Sequence, residues 1–356
     1  MGSLGRGVVL LGTVWTGGAA RPFDGAVIVD ADGTIAHLGT PLPAGLPVLG
    51  GAHCFVGPGV VDAHVHLAFG SVDDCLPAGL VGVRDLGAPP AAARRWRTGP
   101  GLPAPGRPFV GVAGPILTAP HGYPSRTWGA DGFAAFVNSV DDARMLVRRL
   151  AGEGVDIVKI ALEPGRAGWP VPSPQIVRAV ADEAHAAGLA VVAHALTADM
   201  VGRALDGGVD ELAHTPTELL PDALVDRIAA AGVAVVSTLQ TFFSAGAGED
   251  AAHNAAALYR AGVVLRYGTD LGNAGTRPGV EPRELNLLAD AGMGRLGALR
   301  AATETSAQAP GIRGRTGQLR VGEPAALVLL PADPLVRPEV WRSPLAVIAD
   351  GRLVVN

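Results

Sequence analysis

The chain has 356 residues, 48% of them apolar, 17% charged and 4% aromatic, which excludes a disordered chain and supplies apolar surface for one large core or two small ones. A net charge of −5 and a pI of about 6.0 leave no basic footprint for nucleic acid, and no apolar run approaches the roughly 20 residues of a membrane helix. Two cysteines, Cys54 and Cys75, without CxxC spacing, predict no disulfide framework and a reducing, cytoplasmic setting.

Residues 1–57 read as short strands and tight turns, among them the turn Asp30-Ala31-Asp32-Gly33. The short apolar run at 8–11 passes directly into these strands and so reads as fold, not as a secretory signal. From residue 60 strand and helix signals alternate. Apolar runs at 60–67, 79–85, 108–113, 155–161, 189–194, 209–214, 233–239 and 263–268 predict eight buried strands. Helical patterns lie at 141–151, with Asp141 as its N-cap, and at 174–187, 198–206, 221–231 and 250–261; two more follow at 282–291 and 295–307. Eight such repeats over about 250 residues predict a (β/α)8 barrel. An open doubly wound sheet is disfavoured, because no Gly-rich phosphate turn follows the first strand. Strand signals return at 316–319, 325–330 and 346–355, so the two ends are expected to meet in a small β-sandwich. The predicted division is 1–57 and 313–356 for the sandwich and 58–312 for the barrel.

The basic residues are 27 Arg and a single Lys, Lys159, inside the apolar run Ile157-Val158-Lys159-Ile160. A chain that uses Arg for its other cations points to a position where Arg will not serve. Other polar residues also fall at strand ends. His64 and His66 are two apart and share one face of their strand. His194, His214 and Asp270 end strands five, six and eight. Any one of these could be a hydrogen-bonded core residue or a helix cap. Six of them, at the strand ends where barrels place their chemistry, predict a metal centre. Imidazoles with a carboxylate suit Zn²⁺ or a similar first-row ion, with Mn²⁺, Fe²⁺ and Co²⁺ open.

Pro58-Gly59-Val60-Val61-Asp62-Ala63-His64-Val65-His66 resembles the opening strand of the amidohydrolase superfamily. His194, His214 and the ending Gly268-Thr269-Asp270 follow the same pattern, as does the returning run Thr316-Gly317-Gln318-Leu319 to Gly322-Glu323-Pro324-Ala325. Val155 to Ile160, with Val83-Arg84-Asp85, resembles the imidazolonepropionase-like and Xaa-Pro dipeptidase-like branch. One departure is Ala326, which stands where relatives carry an acidic residue. The resemblance implies two divalent ions. His64, His66 and Asp270 would hold one, His194 and His214 the other, and Lys159 would bridge them as a carbamate. A guanidinium offers no neutral amine to attack CO2, which would explain the lone lysine.

The reaction implied is hydrolysis of an amide-type C–N bond in an N-acyl amino acid, a dipeptide or a cyclic amide. Metal-activated hydroxide would attack, with Asp270 as general base. His121, in the loop after strand three, is expected to polarise the carbonyl or bind substrate. Tyr123, Arg166, Gln240 and Phe242 are candidate substrate contacts, with Trp169 beside Arg166. The same metal site could serve a lactone or phosphoester, and a third reading is an inactive barrel used as a binding module. The expected partner is a small-molecule substrate, with neither nucleic acid nor membrane, and a homo-oligomer is left open.

Overall fold

The computed structural model describes residues 2–40, 45–98, 106–165, 168–273, 275–312, 316–349 and 351–355. The barrel strands are Val60–Val65, Leu80–Asp85, Phe109–Val112, Val158–Leu162, Val191–Ala195, Glu211–Leu212, Ala234–Val236 and Leu265–Arg266. Neighbours within the first three, and within the last five, pair in parallel. Backbone hydrogen bonds close the ring at two seams. Asp156 N donates to Val112 O at 2.9 Å between strands three and four. Ala63 N donates to Tyr267 O at 3.0 Å and Asp270 N to His64 O at 2.9 Å between strands one and eight. A parallel sheet covered by helices is buried on both faces, which is why its strands read as continuous apolar runs. Gly268 lets strand eight close against its neighbours, since a Cβ there would meet Val236 Cγ1 at 2.4 Å.

The covering helices include Val140–Glu153, Pro174–Ala186, Ala198–Gly207, Asp222–Ala230 and Gly248–Arg260. The cap of the first is Ser139, not Asp141: its hydroxyl accepts from Asp142 N. Asp141 instead lies in the first turn, where a carboxylate favours the positive end of the helix dipole. Ser173 and Thr197 cap the next two helices in the same way.

The terminal segments share one eight-stranded sheet, in which Leu327–Leu330 pairs with the long strand Val48–Pro58, and Val48–Pro58 with Val8–Val14. Leu10, Val27, Ile35, Leu327 and Ile348 from both halves of this sheet meet in one apolar cluster. Two details differ from the sequence expectation. Residues 316–319 form no strand, although Leu319 N donates to Thr16 O at 2.8 Å. The stretch 346–355 is a hairpin, Ala346–Ala349 against Arg352–Val355, with Gly351 at φ +67° in its turn. Cys54 and Cys75 are buried and unpaired with each other. Among the described residues no helix is long and apolar enough to cross a membrane.

Candidate metal centre

The period of two along the first strand turns His64 and His66 to the barrel interior. Lys159 comes from strand four, His194 from strand five, His214 from the end of strand six and Asp270 from the end of strand eight. All six are buried, and five of them line one cavity of about 290 Å³, with His64 directly behind. Asp270 takes a left-handed backbone, φ +53°, which Asp tolerates better than most residues. That turn lets its N–H bond His64 O while its carboxylate faces the histidines.

The protonation of the rings follows from their partners. His64 Nδ1 lies 2.9 Å from Ala213 O, and His66 Nδ1 lies 3.3 Å from Gly87 O. A carbonyl only accepts, so each Nδ1 carries the proton and the neutral ring leaves Nε2 bare. The two Nε2 atoms are 3.4 Å apart, and Asp270 Oδ1 is 3.3 Å from one and 3.4 Å from the other. That oxygen is buried without a hydrogen-bond partner. Three lone pairs thus converge with no proton among them, an arrangement that a cation stabilises and that nothing else here satisfies. His64, His214 and Asp270 also each present a ligand atom within 4.8 Å of the others.

Burial holds His64 and His214 well below the ordinary imidazole range, so both rings are neutral. His194 is lowered by burial as well, against its contact with Glu163. Burial pushes the Asp270 carboxyl up, and positive charge at His64, His66 and His214 holds it well below its usual value, a pull that a cation among the neutral rings would supply in their place. Burial, helped by Arg84, brings the Lys159 amine down to about 7 against the pull of Asp270, Glu211 and Asp85. Neutral imidazoles, an ionised carboxylate and a readily neutral amine are the donor set that a divalent ion and a lysine carbamate require.

Several residues that sequence reasoning missed orient these groups. Thr238, itself at φ +46°, places its hydroxyl 3.0 Å from His214 Nδ1. Glu163 Oε2 lies 3.4 Å from His194 Nε2. Glu163 stands four residues after Lys159, where the end of the apolar run could have drawn attention to it. Below the cavity Glu211 is held between Arg84 and Arg266, the latter at 2.9 Å.

The candidate substrate contacts divide. Tyr123 lines the cavity, its ring centroid 4.9 Å from that of His194. Phe242 packs edge-on to His214 at 5.5 Å. Gln240 is buried in the short helix Leu239–Ser244 and turns its amide to Gly275 O at 3.3 Å, away from the cavity lining. His121 is not brought to the cavity: it is exposed, at φ +63°, because the loop turns there and presents Tyr123 and Trp128 instead. Arg166 lies outside the described residues, while Trp169 stacks on Tyr123 with centroids 6.1 Å apart.

The amidohydrolase family model matches residues 111–354, more than half of the chain. The chain belongs to the amidohydrolase family. It is therefore a hydrolase of carbon–nitrogen bonds, and its solved neighbours fit the Xaa-Pro dipeptidase-like branch. A putative prolidase from Bifidobacterium longum is 27% identical with a TM-score of 0.79, over 98% of this chain and 95% of that one. A prolidase complexed with N-methylphosphonate-L-proline is 24% identical with a TM-score of 0.81, over 98% and 100%. A Xaa-Pro dipeptidase with bound methionine in its active site is 20% identical with a TM-score of 0.82, again over 98% and 100%. No curated protein sequence matches the chain.

Proposed function

We propose that this amidohydrolase is a binuclear metal-dependent enzyme that cleaves an amide-type C–N bond in an N-acyl amino acid, a dipeptide or a cyclic amide. The observation that carries this reading is the convergence of His64 Nε2, His66 Nε2 and Asp270 Oδ1 within 3.4 Å, with no proton to share. His64, His66 and Asp270 would hold one ion and His194 and His214 the other, with Lys159 between them as its carbamate. Zn²⁺ suits the donors best. When bound, such ions polarise a carbonyl and lower the pKa of water. Residues 58–312 are the catalytic unit on this reading, and 1–57 with 313–356 the accompanying sheet.

The chain's own groups supply the remaining steps. Asp270, ionised at neutral pH, takes the proton of the attacking water on a carboxylate oxygen and returns it to the leaving nitrogen. Tyr123 stays protonated, because burial pushes its phenol up. Its oxygen accepts from Trp128 Nε1 at 3.0 Å, so the phenolic proton is left to donate to the substrate carbonyl oxygen. This gives Tyr123 the task that the sequence assigns to His121. Beneath, the Glu211 carboxylate favours a charged Lys159 and Arg84 opposes it, so the ion-paired group sets the balance of the amine.

The test is metal analysis of the native protein with a panel of amides, dipeptides, lactones and phosphoesters. The expected result is close to two transition-metal ions per chain, amide hydrolysis, and loss of activity on chelation. Full amide hydrolysis by a chelated, metal-free protein overturns the reading.

A further inference from the structure

Aromatic residues are scarce in this chain, sixteen of 356, yet Phe69, Tyr123 and Trp128 line this one cavity and three more rings pack against them or against its histidines. Phe69, Trp128 and Phe133 are in mutual contact, with centroids 5.5 to 5.7 Å apart, and the Phe69 and Phe133 rings are stacked. Tyr123 continues the wall from Trp128 to Trp169. Trp128 lies 4.9 Å from the ring of His66, and Phe242 packs edge-on to His214 at 5.5 Å. Phe69 lines the cavity and is 48% exposed, so its ring face is accessible to a bound group. The Gly272 backbone comes close to the ring, where a Cβ would meet Phe69 Cδ2 at 3.0 Å.

The polar lining is as telling. Among the described residues the cavity wall holds no arginine, and the one lysine is Lys159 at its base. Asn273 is the uncharged polar contact at the rim. The volume is at the small end for ligand sites, which suits one ring and an amide better than an extended peptide.

We infer that this wall is an aryl subsite: the substrate is an amide carrying a flat, uncharged aromatic group, which lies against Phe69 and Trp128 while its C–N bond reaches Asp270. The inference rests on the amide-hydrolase reading above and extends it to simple aryl amides. Hydrolysis adds water across the C–N bond and yields a carboxylic acid and an amine. Ring packing of this kind gives selectivity for aryl over alkyl groups, because it adds an offset or edge-to-face contact to the apolar area buried.

The test uses two independent readouts. In the metal-free protein, tryptophan fluorescence is titrated with benzamide and, separately, with N-acetylglycine. In the metal-loaded protein, kcat/KM is compared for acetanilide and N-acetylglycine. Benzamide is expected to bind saturably where N-acetylglycine does not, and acetanilide to be the better substrate by at least tenfold. Phe69→Ala should weaken benzamide roughly tenfold, and Phe69→Leu should recover part of the loss. Phe69 is half exposed, so both variants should keep the native circular dichroism spectrum. Preference for N-acetylglycine in either readout, or benzamide binding indifferent to Phe69→Ala, overturns the aryl subsite. If no amide is cleaved but benzamide binds as described, the subsite stands and the amide-hydrolase reading fails.

Discussion

The Thr269 hydroxyl donates to Asp62 at 2.6 Å, across 207 residues of chain. The other Asp62 oxygen accepts Thr269 N and His64 N, each at 3.1 Å. One buried carboxylate therefore ties strand eight to strand one, one residue before Asp270 and two before His64. Burial pushes Asp62 up to about 7 while these donors pull it back, so its hydrogen bonds decide its charge. The candidate metal centre is thus positioned from below by a group that touches neither the cavity nor any ligand side chain.

Thr269→Val keeps the shape and removes that donor. A buried carboxylate left one hydrogen bond short should lower stability by about 1–3 kcal/mol. Asp270 should also be held less firmly, so metal should dissociate faster than from the wild type. Urea unfolding and competition with a chelator measure the two effects. Unchanged values in both would mean that the tie between strands one and eight is redundant.

Lys159 gives a pH dependence whose sign can be worked out. Its folded value of about 7 lies below the 10.5 of a free lysine. Between these values the unfolded chain binds the extra proton, so stability rises with pH across that interval. The metal-free protein should gain stability from pH 7 to pH 9, and Lys159→Met should flatten that rise. The same neutral amine is the form that attacks CO2, so regain of activity in bicarbonate should quicken as pH passes 7. Lys159→Arg should be as inactive as Lys159→Ala. Short carboxylic acids should partly rescue the Ala variant alone.

Glu211 is a third test. Its carboxylate is buried against Arg84, which has no exposure, and against Arg266. Glu211→Gln leaves two cations facing each other under the cavity, and breaking a buried pair of this kind costs about 3–5 kcal/mol. Replacing Arg84 and Glu211 together with Met removes one of the two facing cations but leaves Arg266 without its carboxylate partner at 2.9 Å, so it should recover only part of that loss. If thermal melting finds the single variant as stable as the wild type, the network is not what supports this end of the barrel.

How much of this was legible beforehand follows from what each residue's neighbours are. The eight strands are readable because a barrel strand is buried on both faces, so its own sequence is apolar from end to end. His64, His66, Lys159, His194, His214 and Asp270 are readable for the same reason, as polar residues interrupting or ending such runs. Ser139 as a cap is local, but two adjacent aspartates compete with it in the sequence. Thr238 is illegible, since its partner His214 lies 24 residues away, and Glu163 shows only as the acid that ends the apolar run of Lys159, its partner His194 being 31 residues away. The loop after strand three fails in the other direction. His121 carries the chemistry by residue type, but the backbone turns it to solvent and brings Tyr123 and Trp128 inward.

Asp270→Asn is the sharpest test of mechanism. The substitution keeps the left-handed turn, because Asn also tolerates that backbone, and keeps one oxygen toward His64 and His66. It removes the negative charge and the basic oxygen. If Asp270 accepts the proton of the attacking water, the rate should fall by roughly the 10² to 10⁴ of a lost general base. Metal content should fall less than in His64→Ala, which removes a ligand nitrogen entirely. The wild-type rate should rise with pH on its acidic side, as the protonated carboxylate cannot serve. That limb should vanish from whatever activity the Asn variant retains. A variant with both ions bound and near wild-type turnover would make Asp270 a structural cap, and the proton would then have to leave by another group.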